Sequence, residues 1–423
     1  MRIAIATWSR RKVGGVETYL SSIIPGLENA GCDLAFLSEL DQPANRERIT
    51  LPAGVPAWCV SELGAECALT ALREWHPDVI YSHGLLDPDL EDRLLAIAPA
   101  VFFAHGYYGT CISGAKTFKF PVIAPCNRQF GWQCLMHFYP HRCGGWSPLT
   151  MVREYRRQSK RLRVLPRYKA IVTFSGHMAC EYIKHGFSAG RIHVLSPIQN
   201  GHASNGSHQI AATGPGSMQR EILPVHKSSL TDSRGRPFWR LLFLGRMDRL
   251  KGGRIFLDAL PQVAASLDRP LRVTFAGDGP DRNAWERLAA RAKFQNHGLE
   301  IEFVGWLEGQ QRDALLAGSD LLVIPSQWPE PSGRVGLEAG ARGIPSVAFA
   351  LGGIPEWLSD GVNGFLAPGN PPTAAGLSEA IVRALHDPQT HASLRQGALE
   401  RARELSLRGH LMQLLPFLER YVR

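Results

Sequence analysis

The sequence predicts an α/β protein built as two doubly wound parallel-sheet domains that face each other across a cleft. Three observations lead there. Short apolar, β-branched runs recur through both halves and are separated by helix-length stretches, the pattern of strands covered on both faces of a parallel sheet. At 423 residues the chain is too long for one ordinary doubly wound domain and comfortable for two. The segments richest in charge and glycine stand just after the apolar runs, where open parallel sheets bind ligands.

The strand-like runs of the first half are Ile3–Thr7, Asp33–Leu37, Ala57–Val60, Val79–Tyr81, Val101–Phe103, Ile171–Phe174 and His193–Leu195. Those of the second half are Leu241–Leu244, Val273–Ala276, Ile301–Val304, Leu321–Ile324 and Val347–Phe349. Between the halves, residues 199–237 are rich in Ser, Gly, His, Asn and Pro, with a weak apolar cluster at Ile222–Val225, and read as a linker with irregular surface structure. The reading is thus a first domain over 1–198, the linker, and a second domain over 238–404. Residues 405–423 carry Leu411, Leu414, Leu415, Leu418 and Val422 at helical spacing. They form either a helix that packs back on the first domain or an ordinary terminal helix of the second.

A hydrophobic share of 44% with 20% charged residues is that of a globular chain. The net charge of +9 suits nucleic acid, anionic lipid or anionic small molecules. No zinc-finger spacing, RNP-like strand or basic zipper is present, so no nucleic-acid partner is expected. The run Ile3–Ala6 behind Met1 and Arg2 is too short for the core of an export signal, and no apolar run has bilayer length. A cytoplasmic protein is expected, with the inner face of the membrane as a place it can work. Cys32, Cys59, Cys67 and Cys180 lie in or beside apolar segments and read as buried thiols.

The first post-strand loop is Arg10-Arg11-Lys12-Val13-Gly14-Gly15-Val16-Glu17. Paired glycines let a ligand approach the backbone, a helix starting near Val16 offers free N–H groups, and three cations add attraction. A plain turn would use Gly-Gly as well, and the third glycine of a dinucleotide fingerprint is missing. In the second half, Gly245-Arg246-Met247-Asp248-Arg249-Leu250-Lys251-Gly252-Gly253 again follows a strand. Arg246 and Lys251 could neutralise a diphosphate; solvated surface charge is the plainer use of such residues. Gly277-Asp278-Gly279-Pro280 is first of all a tight turn. Phe303, Val304 and Trp306 could flank a base or simply pack the core.

The richest segment is Pro325-Ser326-Gln327-Trp328-Pro329-Glu330-Pro331-Ser332-Gly333-Arg334-Val335-Gly336-Leu337-Glu338. Proline and glycine hold Glu330 in a loop, a helix starts near Gly333 or Arg334, and Glu338 falls a turn inside it. Carboxylates accept paired hydroxyl hydrogen bonds, which suits sugars.

Taken together, Gly14-Gly15, Gly245-Arg246 with Lys251-Gly252, Gly277–Pro280, and Glu330 to Glu338 followed by Ala339–Pro345 resemble family 4 retaining glycosyltransferases of the GT-B fold. The likeness runs from the first loop to about Leu366 and is sharper in the second half. It implies two Rossmann-like domains and transfer of a sugar, with retention, from a UDP-sugar or GDP-sugar to a hydroxyl of a glycan or lipid-linked acceptor. No metal or other cofactor is implied. The likeness also implies roles: Arg246 and Lys251 on the donor diphosphate, Glu330 on the transferred sugar, Glu338 on the ribose, and Gly15, Gly333, Arg334 and Val335 at the donor. His105 stands at the family's active-site histidine, although Gly106 replaces the Asp many relatives carry. His83 is a lesser candidate.

Residues 106–150 resemble a cysteine-bearing insertion found in a subset of these enzymes. Cys111, Cys126, Cys134 and Cys143, with His137 and His141 nearby, lack the tight paired spacing of zinc modules; buried thiols or a labile disulfide are the other readings. The stretch 151–169 holds eight cations against Glu154 and suits an anionic membrane or a diphospholipid acceptor, or merely a solvated face. Rival readings of the whole chain are a sugar-nucleotide epimerase or phosphorylase of similar architecture, and a peripheral membrane or scaffold protein without catalysis.

Overall fold

The computed structural model describes residues 1–12, 14–198, 231, 235–295, 298–307 and 309–422. Most of the linker expected at 199–237, with its Ile222–Val225 cluster, lies outside the described residues.

The first sheet contains β1 (Arg2–Ser9), β2 (Asp33–Leu40), β3 (Ala57–Cys59), β4 (Val79–Ser82) and β5 (Ala100–Ala104). A small antiparallel hairpin of β6 (Thr117–Phe118) and β7 (Ala124–Pro125) intervenes before β8 (Ala170–Thr173) and β9 (Ile192–Val194) return to the sheet. The strand order is β3-β2-β1-β4-β5-β8-β9. The second sheet contains β10 (Trp239–Leu244), β11 (Leu271–Ala276), β12 (Leu299–Gly305), β13 (Leu321–Ile324), β14 (Ser346–Phe349) and β15 (Gly364–Ala367), in the order β12-β11-β10-β13-β14-β15. Pairing within both sheets is parallel. These are two Rossmann-like sheets of the GT-B architecture.

The strand order reverses beside β1 in one sheet and β10 in the other, because each is flanked by a strand on either side. Connections leave to opposite faces there, and a crevice opens at the carboxyl ends. The loops bearing Gly14-Gly15 and Arg246–Lys251 leave from those two strands.

Alternation along β1 shows why the sheets are covered twice. Ile3 and Ile5 enter one core with Val79, Tyr81 and Phe103, whereas Ala4 and Ala6 face another with Ile80 and Phe102. In the second sheet Leu241 and Phe243 pack with Phe256, Phe275 and Trp285, and Leu242 packs on the other side with Leu322 and Leu337. After the Pro388–Glu404 helix, Ser406 caps a helix over Leu407–Glu419 by accepting from Gly409 N at 3.2 Å. That helix buries Leu414, Phe417 and Leu418 in the core of the first sheet.

Three features depart from the sequence expectation. Cys67 and Cys180, read as buried thiols, are exposed on the outer faces of their helices. The edge strand β15 reads as loop, because Gly364-Phe365-Leu366-Ala367 is short and framed by Asp, Gly, Asn and Pro. The β6–β7 hairpin has only two residues per strand, below what alternation can reveal.

Candidate functional site

β13 ends at Ile324, and the loop that follows carries Glu330. Glu330 is 6% exposed, and three donors converge on its Oε1: Lys251 Nζ at 2.6 Å, Ser326 Oγ at 2.6 Å and Trp328 Nε1 at 2.8 Å. Lys251 also lies 5.3 Å from the centre of the Trp328 ring. The buried carboxylate oxygen is thus met by one full positive charge and two neutral donors.

Lys251 closes a 3-10 turn over Arg249–Lys251, capped by Asp248, which accepts from Leu250 N at 3.0 Å and Lys251 N at 3.2 Å. Gly252 then adopts φ +74°, and a Cβ there would stand 1.8 Å from Pro325 O. Only glycine lets the lysine turn touch the β13 loop. Gly352 does the same from the other side: at φ +62° its missing Cβ would lie 2.2 Å from Glu330 O. Two left-handed glycines thus press three loops together around one carboxylate.

The first domain meets this loop directly. Tyr107 Oη donates to Pro329 O at 2.7 Å, and Ser175 Oγ donates to Pro331 O at 2.7 Å. Glu356 of the second domain accepts from Gly176 N and His177 N at 2.8 and 2.9 Å, at the start of the Gly176–Lys184 helix, where a negative charge is favourable. Arg334 donates to Gly15 O across the cleft and lies 6.0 Å from the Tyr19 ring. Desolvation lowers its guanidinium to about 10, so it remains charged at neutral pH.

Gly15 opens the helix over Gly15–Asn29, whose first turn is closed by buried Glu17 accepting from Gly14 N at 2.8 Å. The cations ahead of it are engaged elsewhere: Arg11 with Asp41 at 2.6 Å and Lys12 with Glu47 at 2.8 Å. The attraction expected from Arg11 and Lys12 at this helix start is therefore largely neutralised.

At the carboxyl end of β5, His105 Nε2 is 2.8 Å from His83 Nδ1. Burial pushes His83 down to about 3 and His105 well below the usual histidine value, so both are neutral at physiological pH. Around them Tyr19 stacks on Phe103 at 5.0 Å and bonds both Tyr81 Oη and His410 Nε2 at 2.8 Å. His410 comes from the last helix and contacts Ser196 O at 2.8 Å through Nδ1.

Other expected residues sit further apart. Glu338 pairs with Arg312 and is 4% exposed; Arg312 lies in the Gly309–Ala317 helix and has no distinguishing mark in the sequence. Arg246 is largely exposed and is 3.5 Å from Asp248. Gly333 caps the short Arg334–Gly340 helix at φ +65°, with Val335 half-buried in its first turn. Phe303 stacks on Phe275 at 4.8 Å as core packing, while Trp306 lies under Arg46 of the first domain at 4.0 Å.

Residues 106–150 and the Pro148–Val164 helix wall a cavity of about 830 Å³ that reaches His83 and His105. Cys143 packs there with Ile112, Phe130 and Phe138, whereas Cys111 belongs to the core of the first sheet with Tyr107 and Leu165. All four cysteines of the segment are free, and burial pushes the Cys143 thiol up to about 12. Among the described residues no group of three or more His, Cys, Asp or Glu side chains is placed to hold a metal ion. The basic stretch is partly used within the domain: Lys160 pairs with Asp89 at 2.6 Å, Arg167 with Asp92, and Arg161 is buried. Among the described residues no helix is long and apolar enough to cross a membrane.

Comparison with known proteins fits this geometry. Residues 13–198 match the family described as Glycosyltransferase Family 4, and residues 239–387 match Glycosyl transferases group 1. The chain belongs to the family 4 glycosyltransferases. Among curated relatives of this glycosyltransferase, spore coat protein SA of Bacillus subtilis is 32% identical over 130 residues, 30% of this chain and 34% of that protein. Glycogen synthase of Mycobacterium tuberculosis is 34% identical over 148 residues, 35% of this chain and 34% of that protein. The chain thus spans about a third of the length of these relatives. Among solved structures, HepE of Anabaena in complex with UDP and glucose superposes with a TM-score of 0.65 at 18% identity, covering 99% of each chain. Sucrose-phosphate synthase of Thermosynechococcus elongatus gives 0.66 at 18% identity, covering 99% of this chain and 98% of that one. At that identity the likeness concerns the fold.

Proposed function

We propose that this glycosyltransferase moves a hexose from a nucleoside diphosphate sugar to a hydroxyl, with retention at the anomeric carbon, in polysaccharide or glycolipid assembly. The observation that carries the proposal is the buried Glu330 carboxylate, fixed by Lys251, Ser326 and Trp328 in a loop that touches both domains. The bond from the anomeric carbon to the diphosphate breaks, the bond to the acceptor oxygen forms, and the acceptor's proton leaves with the products. Negative charge grows on the departing diphosphate, so fixed cations there lower the barrier. Lys251 and Arg246 take that role, joined by Arg334 and the backbone around Gly333 to Val335. Glu330 accepts from hydroxyls of the sugar in flight, Glu338, braced by Arg312, accepts from the ribose, and Gly15 admits the donor near the helix start.

His105, neutral and bonded to His83, serves as a hydrogen-bonding group beside the reacting sugar, not as a source of charge. The donor is a UDP-sugar or a GDP-sugar; UDP in the complexes of HepE supports the first. No metal or other cofactor enters this scheme. The enzyme works in the cytoplasm at the inner face of the membrane, which the exposed Arg153 and Arg156 of the 151–169 stretch meet together with exposed Leu149 of the same helix. The acceptor, a glycan or a lipid-linked one, enters through the first domain.

Nucleotide release measured across a panel of UDP- and GDP-sugars tests the reading, with the product anomer read by proton NMR. Release from one base class with retained configuration is expected. An inverted product, or no release from any donor by a folded enzyme, would overturn it.

A further inference from the structure

We propose that the cavity between β5, residues 106–150 and the Pro148–Val164 helix binds a phosphate-type anion, so that the acceptor carries such a group close to the hydroxyl that receives the sugar. Calling the ligand an acceptor rests on the transferase reading above; the anion site itself rests on the charges lining the cavity. Three cations, Lys119, Arg157 and Arg161, line it against a single carboxylate, Glu154. Glu154 is 2.5 Å from Arg157 and so answers that one charge.

Arg161 is 6% exposed, and its guanidinium meets only neutral groups: Leu85 O at 2.9 Å, Leu86 O at 3.3 Å and the Tyr108 ring at 3.9 Å. Its Nε has no hydrogen-bond partner, and among the described residues no carboxylate stands within 4.0 Å of it. Two carboxylates act on it from further off: Glu39, which accepts from Leu86 N and Asp87 N, and Glu91, which is buried and accepts from the Tyr108 and Tyr168 hydroxyls. Burial lifts Glu91 to about 7 and raises Glu39 as well, so both are weakened countercharges. Lys119 has no ion-pair partner among the described residues. Arg157 and Arg161, one helical turn apart, oppose each other.

A buried guanidinium without a carboxylate is costly, and an oxyanion that can be gripped bidentately relieves that cost. The remaining lining fits a sugar: Tyr107 and Phe138 provide flat apolar walls, and Ser113 and Thr150 provide hydroxyls. The bond from Tyr107 to Pro329 O, at 2.7 Å, sets one end of the cavity against the Glu330 loop. An acceptor with its anion among the three cations therefore extends its hydroxyl end toward His105 and the transferred sugar.

Calorimetric titration of inorganic phosphate into the full chain tests this, in a Lys251→Ala, Arg246→Ala background so that these diphosphate cations do not compete. Lys119→Gln with Arg157→Gln is expected to weaken phosphate binding about tenfold or more, and Glu154→Gln to strengthen it. A damaged fold cannot produce shifts of opposite sign. Phosphatidylcholine vesicles with and without phosphatidic acid separate the sources: affinity for free phosphate marks a soluble phosphorylated acceptor, and affinity that needs the phosphatidic acid marks a lipid-borne one. Phosphate and vesicle binding both unmoved by all three substitutions would overturn the proposal. Because binding, not turnover, is read, a chain that binds phosphate in this way yet releases no nucleotide would remove the transferase reading and leave the anion site standing.

Discussion

The two domains meet the cleft with opposite physical means. The second domain offers ions: Lys251 against Glu330 and Arg312 against Glu338, each carboxylate buried beside its cation. The first offers rings: Tyr19, Tyr81, Phe103, Phe174 and the neutral His83 and His105, packed in stacked, tilted and edge-to-face contacts. Under the proposed function, one half would stabilise the charge that appears during reaction. The other removes water and holds uncharged hydrogen-bonding groups, which strengthens every charge across the cleft. The contrast teaches that, under that function, fixed charge serves the donor end and a wall of neutral rings serves the transfer end.

The largest effects should come from removing the ionic half. Glu330→Ala is expected to lower nucleotide release about hundredfold or more with the melting temperature nearly unchanged. Arg246→Ala, an exposed cation recruited only by the donor, should cost about tenfold in the same assay. If Arg246→Ala proved the more damaging, the weight given to the buried pair over the exposed cation would be wrong.

The aromatic half should respond in stability before activity. Leu414→Ala, which empties a fully buried position between the last helix and the first sheet, is expected to destabilise by about 2–5 kcal/mol in denaturant unfolding. Gly252→Ala should cost about 2 kcal/mol or more, and because it pushes the lysine turn away from Pro325 it should also depress turnover. A Gly252→Ala enzyme with full turnover would break the link between that turn and the site.

The smallest effect is the pH dependence. His83 and His410 fall from 6.5 in the unfolded chain to about 3 and about 4 when folded. Below pH 6.5 the unfolded chain takes up protons that the folded one refuses, so their stabilisation is complete above that value and is lost as the pH falls. Each histidine loses about 1.4 kcal/mol per pH unit until its folded pKa is reached. Glu91, raised from 4.5 to about 7, works the other way, stabilising most below 4.5 and losing that stability as the pH rises toward 7. A melting temperature that drops more gently in His83→Asn than in the wild type between pH 6 and pH 4 is the expected outcome.

The ionic half could be read from sequence far better than the aromatic one, and the reason is physical. Glu330, Arg334 and Glu338 share one segment, and Lys251 stands beside the glycines that a tight post-strand turn demands. Their juxtaposition follows from strand order alone. Ser326 and Trp328 lay in the same segment without a role, because a hydroxyl and an indole give no sign of which carboxylate they will meet. Arg312 looks like any helix-surface arginine until the fold seats it on Glu338. The Tyr19–His410 contact joins residues 391 apart, and no periodicity announces it. The parallel sheets declared themselves through apolar runs, whereas β15 did not, since a strand opened by glycine and closed by proline has the composition of a turn.

The central claim is that Lys251 and Glu330 act as one unit in sugar transfer. A double-substitution cycle on nucleotide release tests it most directly, using Lys251→Ala, Glu330→Ala and the two combined. The account predicts that either single change removes nearly all turnover and that the double variant is hardly worse than the singles, as expected of groups that work together. Losses that simply multiply, or wild-type release in either single variant, would contradict it.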